Sequence, residues 1–400
     1  MADGPKLTPL GKAFVLLFVG ACLAGAFYLF VQNRGSGASK PSSASGGSVL
    51  DTFGGGSQVE IGIAYGTEKQ RWLEWAVQEF AKTSDGKRIR VNLIPMGSLE
   101  GAHALLGGDQ RINVWSPASA LYKDAFVQEW QVKYSQNPIL KEEPLALTPM
   151  VFVFWDERYQ SFVQKYKTVS FATIGQALQE KGGWDAIAQK PEWGLFKFGH
   201  THPNESNSGL MTIVLAAYSY QKKTRDLELK DVVDVGFQNW LQTFERGISG
   251  LSNSTGNMMR EMVLKGPSSY DGLIVYENVA IDYLKNAEGR WGQLRVAYPE
   301  YNAWNDNPYY IIDAPWSTKE QRKAAETFLS FLLSEPIQKE SLIHGFRPAN
   351  PNVAVKFPDS PFVKYADYGI RVDLQKICEA PHAEVVSNLL QSWQRSQSGR

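Results

Sequence analysis

The sequence THPNESNSG at residues 201–209 is the stretch from which the fold is most readily predicted. It follows a strand-like run, Trp193–His200, and precedes an apolar helical run, Leu210–Tyr220. Ser206 or Asn207 is a suitable N-cap for that helix. The N–H groups and the dipole at a helix N-terminus also suit an anion or a ligand oxygen. A plain helix cap without any ligand is the alternative interpretation of this stretch.

Small and polar residues follow several other predicted strands in the same way. In the first half of the chain they follow the strands Val59–Tyr65, Arg88–Ile94 and Ile112–Trp115. The turns concerned are Gly66-Thr67-Glu68-Lys69, Pro95-Met96-Gly97-Ser98 and Ser116-Pro117-Ala118-Ser119, each ahead of a predicted helix. In the second half the corresponding turns are Ser252-Asn253-Ser254-Thr255-Gly256 and Tyr276-Glu277-Asn278. Strand, polar turn and helix in succession predict an α/β fold with parallel strands, and ligands bind at the carboxyl ends of such strands.

A change of composition at Lys141-Glu142-Glu143-Pro144 predicts a crossing into a second lobe, which begins with one long buried strand, Leu145–Trp155. We expect Leu294–Pro299 and Tyr309–Ala314 to be strands that carry the chain back to the first lobe. The predicted domains are therefore 59–144 for the first part of lobe 1 and 145–308 for lobe 2. Residues 309–395 return to lobe 1 and include C-terminal helices, and 396–400 form a tail.

An uncharged apolar run, Ala13–Val31, precedes this body and is long enough to cross a bilayer as a helix. Basic residues before it favour a cytoplasmic N-terminus. We therefore predict a cytoplasmic segment (1–12), a transmembrane signal anchor (13–32), a flexible Gly/Ser linker (33–58) and a body outside the cytoplasm. Two alternatives remain open: a cleaved signal peptide, or a lipoprotein signal at Val19-Gly20-Ala21-Cys22.

Charge and motif content exclude several classes of function. The 41 basic and 41 acidic residues give a net charge of zero, which argues against nucleic acid as a partner. The sequence has no Gly-x-Ser-x-Gly elbow, no phosphate loop and no His-Glu-x-x-His motif, so we predict neither an enzyme nor a cofactor. One of its two cysteines lies in the apolar run, so a disulfide is not expected, and Cys378 is predicted to be buried.

Taken in order, the motifs resemble a known family. They are Gly-Thr-Glu-Lys, Val-Trp-Ser-Pro-Ala-Ser-Ala, Ser-Asn-Ser-Gly, Ser-Thr-Gly, Tyr-Glu-Asn and, near the end, Gly-Phe-Arg-Pro-Ala. Between about Val59 and Ala349 the chain resembles bacterial extracellular solute-binding proteins of the type II periplasmic-binding (molybdate/sulfate-binding-like) class. In particular it resembles the membrane-anchored branch associated with von Willebrand factor A domain proteins. The resemblance implies a two-lobed type II periplasmic-binding fold with hinge crossings, a small-molecule or ion ligand in the cleft, and a permease or von Willebrand factor A domain protein as partner.

The candidate ligand residues come from the strand ends and from this resemblance, which implies hydroxyl and N–H donors at Thr67, Ser119, Ser206–Ser208 and Tyr276. The complete candidate set is Gly66, Thr67, Glu68, Gly97, Ser98, Ser116, Ser119, Glu205, Ser206, Asn207, Ser208, Thr255, Tyr276 and Glu277. Three of these are carboxylates, which would repel a bare divalent anion if they faced it. A cation, an amine or a polyol is therefore an open alternative to an oxyanion.

Other residues near these turns have structural or metal-binding interpretations. His200 and His202 could form a metal pair, and Glu205 with Glu277 could supply oxygen ligands to calcium or magnesium. We expect Trp115 in the core, Lys69 pointing to solvent, and Arg347 in a structural ion pair or bonded to carbonyl groups. Tyr276 is equally compatible with the core and with a ligand contact.

The function predicted from the sequence is a membrane-tethered extracytoplasmic solute-binding protein. It closes two lobes around a small ligand for uptake, as in ABC transporters, or for sensing. The alternative is a tethered sensor or assembly protein whose partner is a protein and not a transported solute.

Overall fold

The computed structural model describes residues 58–287 and 289–397. The chain divides into a unit spanning residues 1–55 and a body spanning 56–400. The predicted cytoplasmic segment, transmembrane anchor and nearly all of the linker lie outside the described residues. Within the described ranges, no helix has the length and apolar character required to cross a membrane.

Two five-stranded sheets form the centres of two lobes in this body. The strands in chain order are β1 (Val59–Tyr65), β2 (Ile89–Pro95), β3 (Val114–Ser116), β4 (Ile139–Pro144), β5 (Ala146–Leu147), β6 (Met150–Trp155), β7 (Phe198–Thr201), β8 (Gly250–Ser252), β9 (Gly272–Tyr276), β10 (Leu294–Ala297), β11 (Tyr301–Asn302), β12 (Pro308–Ile312), β13 (Arg347–Pro348) and β14 (Lys376–Ile377). The first sheet has the order β2-β1-β3-β12-β4 and the second β10-β6-β9-β7-β8, with small pairs β11-β14 and β13-β5.

Parallel and antiparallel strands are mixed in both sheets. In the first, β1 is parallel to β2 and β3, while β12 is antiparallel to β3 and β4. In the second, β7 is parallel to β8 and β9, while β6 is antiparallel to β9 and β10. The parallel strands of each sheet end at the same edge, as the polar turns in the sequence predict.

Helices cover these sheets. They are α1 (Gln70–Ala81), α2 (Ser98–Leu106), α3 (Lys123–Tyr134), α4 (Asp156–Tyr166), α5 (Phe171–Leu178), α6 (Trp184–Ala188), α7 (Asn207–Gln221), α8 (Leu229–Val232), α9 (Val235–Gly247), α10 (Thr255–Lys265), α11 (Glu277–Ala287), α12 (Lys319–Leu332), α13 (Glu335–Ile343), α14 (Pro361–Lys364) and α15 (Ala383–Gln397). The buried faces follow helical spacing. In lobe 1, for example, Trp72, Ala76 and Phe80 of α1 are buried, and Phe80 meets Phe328 of α12 with ring centroids 5.0 Å apart.

The chain passes between the lobes at Pro144–Met150 and again at Asn302–Pro308. These two crossings run side by side, joined by an antiparallel bridge between Thr148 and Asn305. The long strand predicted over Leu145–Trp155 is in fact two strands, β5 and β6. They are separated because Thr148 pairs with Asn305 of the other crossing.

The strand predicted over Leu294–Pro299 does not return to lobe 1. As β10 it pairs antiparallel with β6, Leu294 opposite Trp155, and therefore stays at the edge of the second sheet. Only β12 re-enters the first sheet, followed by α12, which packs on β1 and β12. The last part of the chain then crosses a third time: β14 pairs with β11, and α15 packs against α7, α8 and α9 of lobe 2.

Candidate functional site

A cavity of about 220 Å³ lies between the lobes, where five strand ends meet. Lobe 1 contributes the turns after β1 and β2, and lobe 2 contributes the turns after β7 and β8 and the end of β9. Ten of the predicted site residues line it: Gly66, Thr67, Glu68, Gly97, Ser98, Glu205, Ser206, Asn207, Thr255 and Tyr276. Five further residues line the cavity and were not among the predicted site residues: Pro95, Met96, Glu100, Asn253 and Ser254.

Four helical N-termini converge on this cavity. Those of α2, α7 and α10 begin at Ser98, Asn207 and Thr255, and a short 3₁₀ turn at Thr67–Lys69 leads directly into α1. Two of these termini belong to each lobe. Because the first N–H groups of a helix have no intrahelical acceptor and carry the positive end of the dipole, the four termini together favour negative charge in the cavity.

The lobes touch each other around the cavity. The Thr67 and Ser254 hydroxyl oxygens are 3.4 Å apart across the cleft, and Asn278 Nδ2 donates to the Glu68 carbonyl oxygen at 3.0 Å. On another side of the cavity, a Cβ atom added to Gly97 would lie 2.9 Å from the Glu205 carbonyl oxygen. The structure is therefore the closed arrangement of the two lobes.

Tyr276 and Asn207 form the base of the cavity in lobe 2. Asn207 Nδ2 donates to the Tyr276 hydroxyl and to Asn305 Oδ1, both at 2.9 Å, so the ligand helix α7 is tied to the second crossing. Burial, with a contribution from Glu68, holds the pKa of Tyr276 well above its ordinary value. Since the hydroxyl is neutral and accepts from Asn207, it keeps its hydrogen to donate to a ligand oxygen.

Lys69 is buried, not exposed as predicted. Its side chain is fully inaccessible, and Nζ donates to Glu68 Oε1 (2.6 Å), the Pro117 carbonyl (3.1 Å) and Asn307 Oδ1 (3.0 Å). Burial lowers the pKa of Lys69, and the neighbouring Glu68 carboxylate opposes that effect. The Glu68 carboxylate therefore lines the cavity while it is paired with the Lys69 ammonium, and its side chain is only 7% exposed.

Glu277 does not line the cavity, although it follows Tyr276 directly. It is fully buried and takes two hydrogen bonds from Arg347, from Nε to Oε2 and from Nη2 to Oε1, both at 2.8 Å. The Tyr298 hydroxyl also donates to it. Burial alone would lower the pKa of Arg347, but its bonds to Glu277 outweigh burial and raise that pKa. The structural ion pair expected of Arg347 is thus present, and Glu277 is its partner.

Three predicted serines also lie off the cavity. The Ser116 carbonyl accepts from Gly66 N at 3.1 Å, and its side chain is enclosed in lobe 1. Ser119 Oγ accepts from Leu121 N as a helix cap, because the turn after β3 folds against Lys69 and not into the cleft. Ser208 lies one layer behind the cavity, where its Oγ is 2.5 Å from Thr201 Oγ1 and 2.6 Å from Thr255 Oγ1.

These positions revise the charge argument made from the sequence. Of the three carboxylates expected at the site, Glu277 is paired with Arg347 and Glu68 with Lys69, which leaves Glu205, 47% exposed at the rim. Glu100 also lines the cavity, and its Oε2 accepts from Gly97 N at 3.0 Å. Among the described lining residues none is Lys or Arg, so the groups that favour an anion there are the helix termini and the hydroxyl groups.

The structure gives no support to a metal pair at His200 and His202. His200 is fully buried, with Nδ1 2.7 Å from the Thr201 carbonyl and Nε2 3.1 Å from Glu245 Oε1. The His202 ring lies against Trp393. In the described part of the chain, no group of three or more His, Cys, Asp or Glu side chains is arranged to hold a metal ion.

Local sequence signals exist for two of the lining residues that were not selected. Ser254 precedes α10 as its N-cap and belongs to the same Ser/Thr turn as Thr255. Glu100 stands three residues after Gly97, a spacing at which a carboxylate bonds back to the N-cap N–H. Trp115 is in the core, as expected, and its Nε1 donates to the Ser98 carbonyl at 3.2 Å.

The fold and the two-lobed site define a class, and comparison with known proteins identifies it. The chain belongs to the family of bacterial extracellular solute-binding proteins, whose family model matches residues 61–347. The described body is thus an extracytoplasmic solute-binding protein with the predicted two-lobed α/β fold. Over 310 residues it is 33% identical to the thiosulfate-binding protein of Pseudomonas aeruginosa. The aligned region covers 76% of this chain and 82% of that relative.

Solved structures share this fold at low sequence identity. The sulfate-binding protein SubI of Mycobacterium tuberculosis aligns with a TM-score of 0.54 at 15% identity, covering 86% of this chain and 99% of that one. The fructose-6-phosphate-bound protein AfuA of Actinobacillus pleuropneumoniae aligns with a TM-score of 0.58 at 12% identity, covering 84% and 98%. At such identities the likeness concerns the fold alone.

Proposed function

We propose that this protein binds a small dianionic oxyanion of the sulfate or thiosulfate type by closing its two lobes around it. The observation that carries the proposal is the convergence of four helical N-termini, two from each lobe, on one cavity between the lobes. Each terminus stabilises a negative charge by about 0.3–1 kcal/mol when exposed and by up to about 2 kcal/mol when partly buried. The 33% identity to a thiosulfate-binding protein supports the same ligand class.

The surroundings of the carboxylates weaken the main objection to an anion. Lys69 compensates Glu68, and Glu277 is bound to Arg347. Glu205 and Glu100 are exposed, so solvent screens their charge. Six hydroxyl groups line the cavity as additional donors, those of Thr67, Ser98, Ser206, Ser254, Thr255 and Tyr276. Such a lining matches the oxygen surface of a tetrahedral anion better than a metal ion, which would need oxygen or nitrogen acceptors.

The size of the cavity favours a small solute. Its volume of about 220 Å³ is enough for a compact anion. Neighbouring hollows of about 470 and 360 Å³ share lining residues with it and continue the cleft outward. An oligosaccharide would require the lobes to stay apart, and the contact between Thr67 and Ser254 would then be lost. An oligosaccharide is therefore less compatible with the closed form than a compact anion.

The ligand should bind the closed conformation of the protein more tightly than the open one. A ligand in the cavity contacts helix termini of both lobes only when they are closed, so its affinity is higher for the closed form. To shift a two-state hinge from mostly open to mostly closed, this difference must reach about 5.5 kcal/mol. Neutral hydrogen bonds of about 0.5–1.5 kcal/mol each, and charge-assisted ones of about 1.5–3, are numerous enough here to supply it.

Isothermal titration calorimetry with the purified full-length chain tests the proposal. Sodium thiosulfate and sodium sulfate should bind at one site, while maltose and ferric citrate should not. The double variant Ser206→Ala with Ser254→Ala removes one hydroxyl from the turn after β7 and one from the turn after β8. It should bind the anion about ten-fold or more weakly. Binding of maltose or iron in place of the anions would contradict the proposed ligand class.

Uptake through a permease is the role that we propose for the bound ligand. The expected transmembrane anchor (13–32), the permease and the von Willebrand factor A domain partner rest on the sequence alone and stay predictions. The same holds for the alternative role as a tethered sensor, for which the described residues offer no specific observation.

A further inference from the structure

The C-terminal segment, residues 348–397, lies beyond the part of the chain that matches the family and packs against the lobe-2 side of the ligand cavity. It returns to lobe 2 through a bond from Cys378 N to the Asn302 carbonyl and one from Glu379 N to the Thr224 carbonyl. Its final helix, α15, then packs against α7, whose first residue lines the cavity. This segment is therefore in a position to act on the ligand site.

Trp393 of α15 contacts the turn that leads into the cavity. Its ring lies edge-on to the His202 ring, with centroids 4.5 Å apart and planes at 72°, and its side chain is buried. Its Nε1 donates to Glu245 Oε2 at 2.7 Å, and the same carboxylate lies 3.1 Å from His200 Nε2. Trp393 thus touches the turn at His202 and, through Glu245, the end of strand β7 just before it.

His202 organises the turn between β7 and α7. Its carbonyl accepts from both Glu205 N (3.1 Å) and Ser206 N (2.9 Å), and its ring Nδ1 accepts from Asn204 N at 3.3 Å. Glu205 and Ser206 are cavity residues, so the backbone that presents them is bonded to His202. The backbone carbonyl and the ring of His202 together hold the turn that presents these two cavity-lining residues.

We propose that Trp393 is a positioning residue for the ligand site: it holds the His202 ring, and through it residues 202–206, in the conformation that binds the anion. The proposal rests on the proposed function of the cavity and adds to it a role for a segment outside the family match. Trp393 itself does not line the cavity and is not expected to touch the ligand.

The physical basis is preorganisation. A turn of five residues that is mobile before binding must be ordered when the ligand arrives, and this loss of freedom weakens affinity. A turn held by a buried aromatic contact is ordered during folding, so binding no longer carries that cost. The contact should therefore affect ligand affinity more than its distance from the cavity suggests.

The test compares thiosulfate binding, by isothermal titration calorimetry, among full-length variants. Trp393→Ala and His202→Ala should each weaken binding by about ten-fold, because each releases the same turn. The double variant should be no weaker than the more affected single variant, since the two residues act in one chain of contacts. Trp393→Phe, which keeps a ring against His202, should restore most of the affinity although it loses the bond to Glu245.

Gln391→Ala, on the exposed face of the same helix, is the matched control and should bind as the wild type does. If Trp393→Ala does not fold, His202→Ala decides the question, since its side chain is 28% exposed and tolerates truncation better. Wild-type affinity in His202→Ala, or additive losses in the double variant, would overturn the positioning role while the proposed function stands. Absence of thiosulfate and sulfate binding by the wild-type chain would instead refute the proposed function on which it rests.

Discussion

Lys69 and Asn307 lie 3.0 Å apart, Nζ to Oδ1, at the point where the ligand turn of lobe 1 meets the second crossing between the lobes. Asn307 adopts a left-handed backbone conformation, with φ of 44°, and its Nδ2 donates to the carbonyls of Ala146 and Asn305. One asparagine therefore joins both crossings to the cation that compensates Glu68. The charge at the cavity and the geometry of the hinge are held by the same side chains.

We expect Lys69→Met to lower both stability and anion affinity. It leaves the Glu68 carboxylate buried without its cation, which costs about 3 kcal/mol in the free energy of unfolding, and that charge then repels an anion in the cavity. Urea denaturation and thiosulfate titration measure the two effects. Lys82→Met, which removes an exposed ion pair with Glu79, is the control and should change stability by less than about 1 kcal/mol.

Glu68→Gln combined with Lys69→Met should recover much of the lost affinity, because it removes the uncompensated charge. Equal affinity in Lys69→Met and the wild type would show that Glu68 does not face the ligand.

Glu277→Gln should destabilise the protein without weakening ligand binding. The substitution leaves the Arg347 guanidinium buried and short of a partner, and breaking such a pair costs about 3–5 kcal/mol. We expect a lower urea midpoint and, at temperatures where the variant is folded, a thiosulfate dissociation constant within about two-fold of wild type. Replacing both partners, as Arg347→Met with Glu277→Leu, should regain part of the stability. A stable Glu277→Gln variant that no longer binds thiosulfate would instead make Glu277 a ligand residue.

Gly97→Ala should oppose closure while leaving each lobe intact. Its φ of −64° suits alanine, but the added Cβ would lie 2.9 Å from the Glu205 carbonyl of the other lobe. Relieving this contact costs about 1–2 kcal/mol, or roughly ten-fold in the dissociation constant.

Small-angle X-ray scattering with and without thiosulfate checks whether the Gly97→Ala variant compacts less than wild type. Gly256→Ala, whose Cβ would meet no atom within 4 Å, is the control and should bind and close normally. Normal compaction in Gly97→Ala would mean that the lobes approach each other differently in solution.

Asp282 should make stability fall as pH rises through the acidic range. Burial raises its pKa to about 6, and Arg71 of the other lobe, 3.6 Å away, opposes that effect. The unfolded chain has a pKa near 3.9, so between about pH 4 and 6 the folded state binds more protons and the free energy of unfolding decreases as pH increases. The total loss at neutral pH is on the order of 3 kcal/mol.

Thermal unfolding of Asp282→Asn between pH 4 and 8 measures this contribution. The variant should be more stable than wild type at pH 7.5, and the difference should shrink steadily toward pH 4, because Asp282 becomes protonated first in the folded state and then in the unfolded state. Arg71→Met should act in the opposite direction at pH 7.5, because without the arginine the pKa of Asp282 rises further. A difference between Asp282→Asn and wild type that does not change with pH would contradict this account.

Local sequence patterns predicted those parts of the fold that depend on neighbouring residues. Small polar turns after apolar runs are determined within about ten residues, and the turns after β1, β2, β7 and β8 do lie around one cavity. Ser206, Asn207 and Thr255 belong to such turns, and each lies beside its predicted helix start.

The features that the sequence did not predict depend on partners far along the chain. Whether Glu277 faces a ligand is decided by Arg347, 70 residues away, and whether Lys69 is exposed is decided by Asn307, 238 residues away. The sheet that receives β10 depends on its register against β6, which alternation within Leu294–Ala297 does not encode. Local patterns therefore predicted which turns lie around the cavity, but not which charged side chains face it.

Three passages of chain connect the lobes, since the C-terminal segment adds another to the paired crossings at Thr148 and Asn305. Two adjacent connections alone would let the lobes open and also twist about the hinge. The third passage begins at β13, beside β5, and reaches lobe 2 at β14, beside β11, so it widens the same hinge and resists twisting. The two lobes should consequently open by rotation about one axis, and every approaching solute should meet the same entrance.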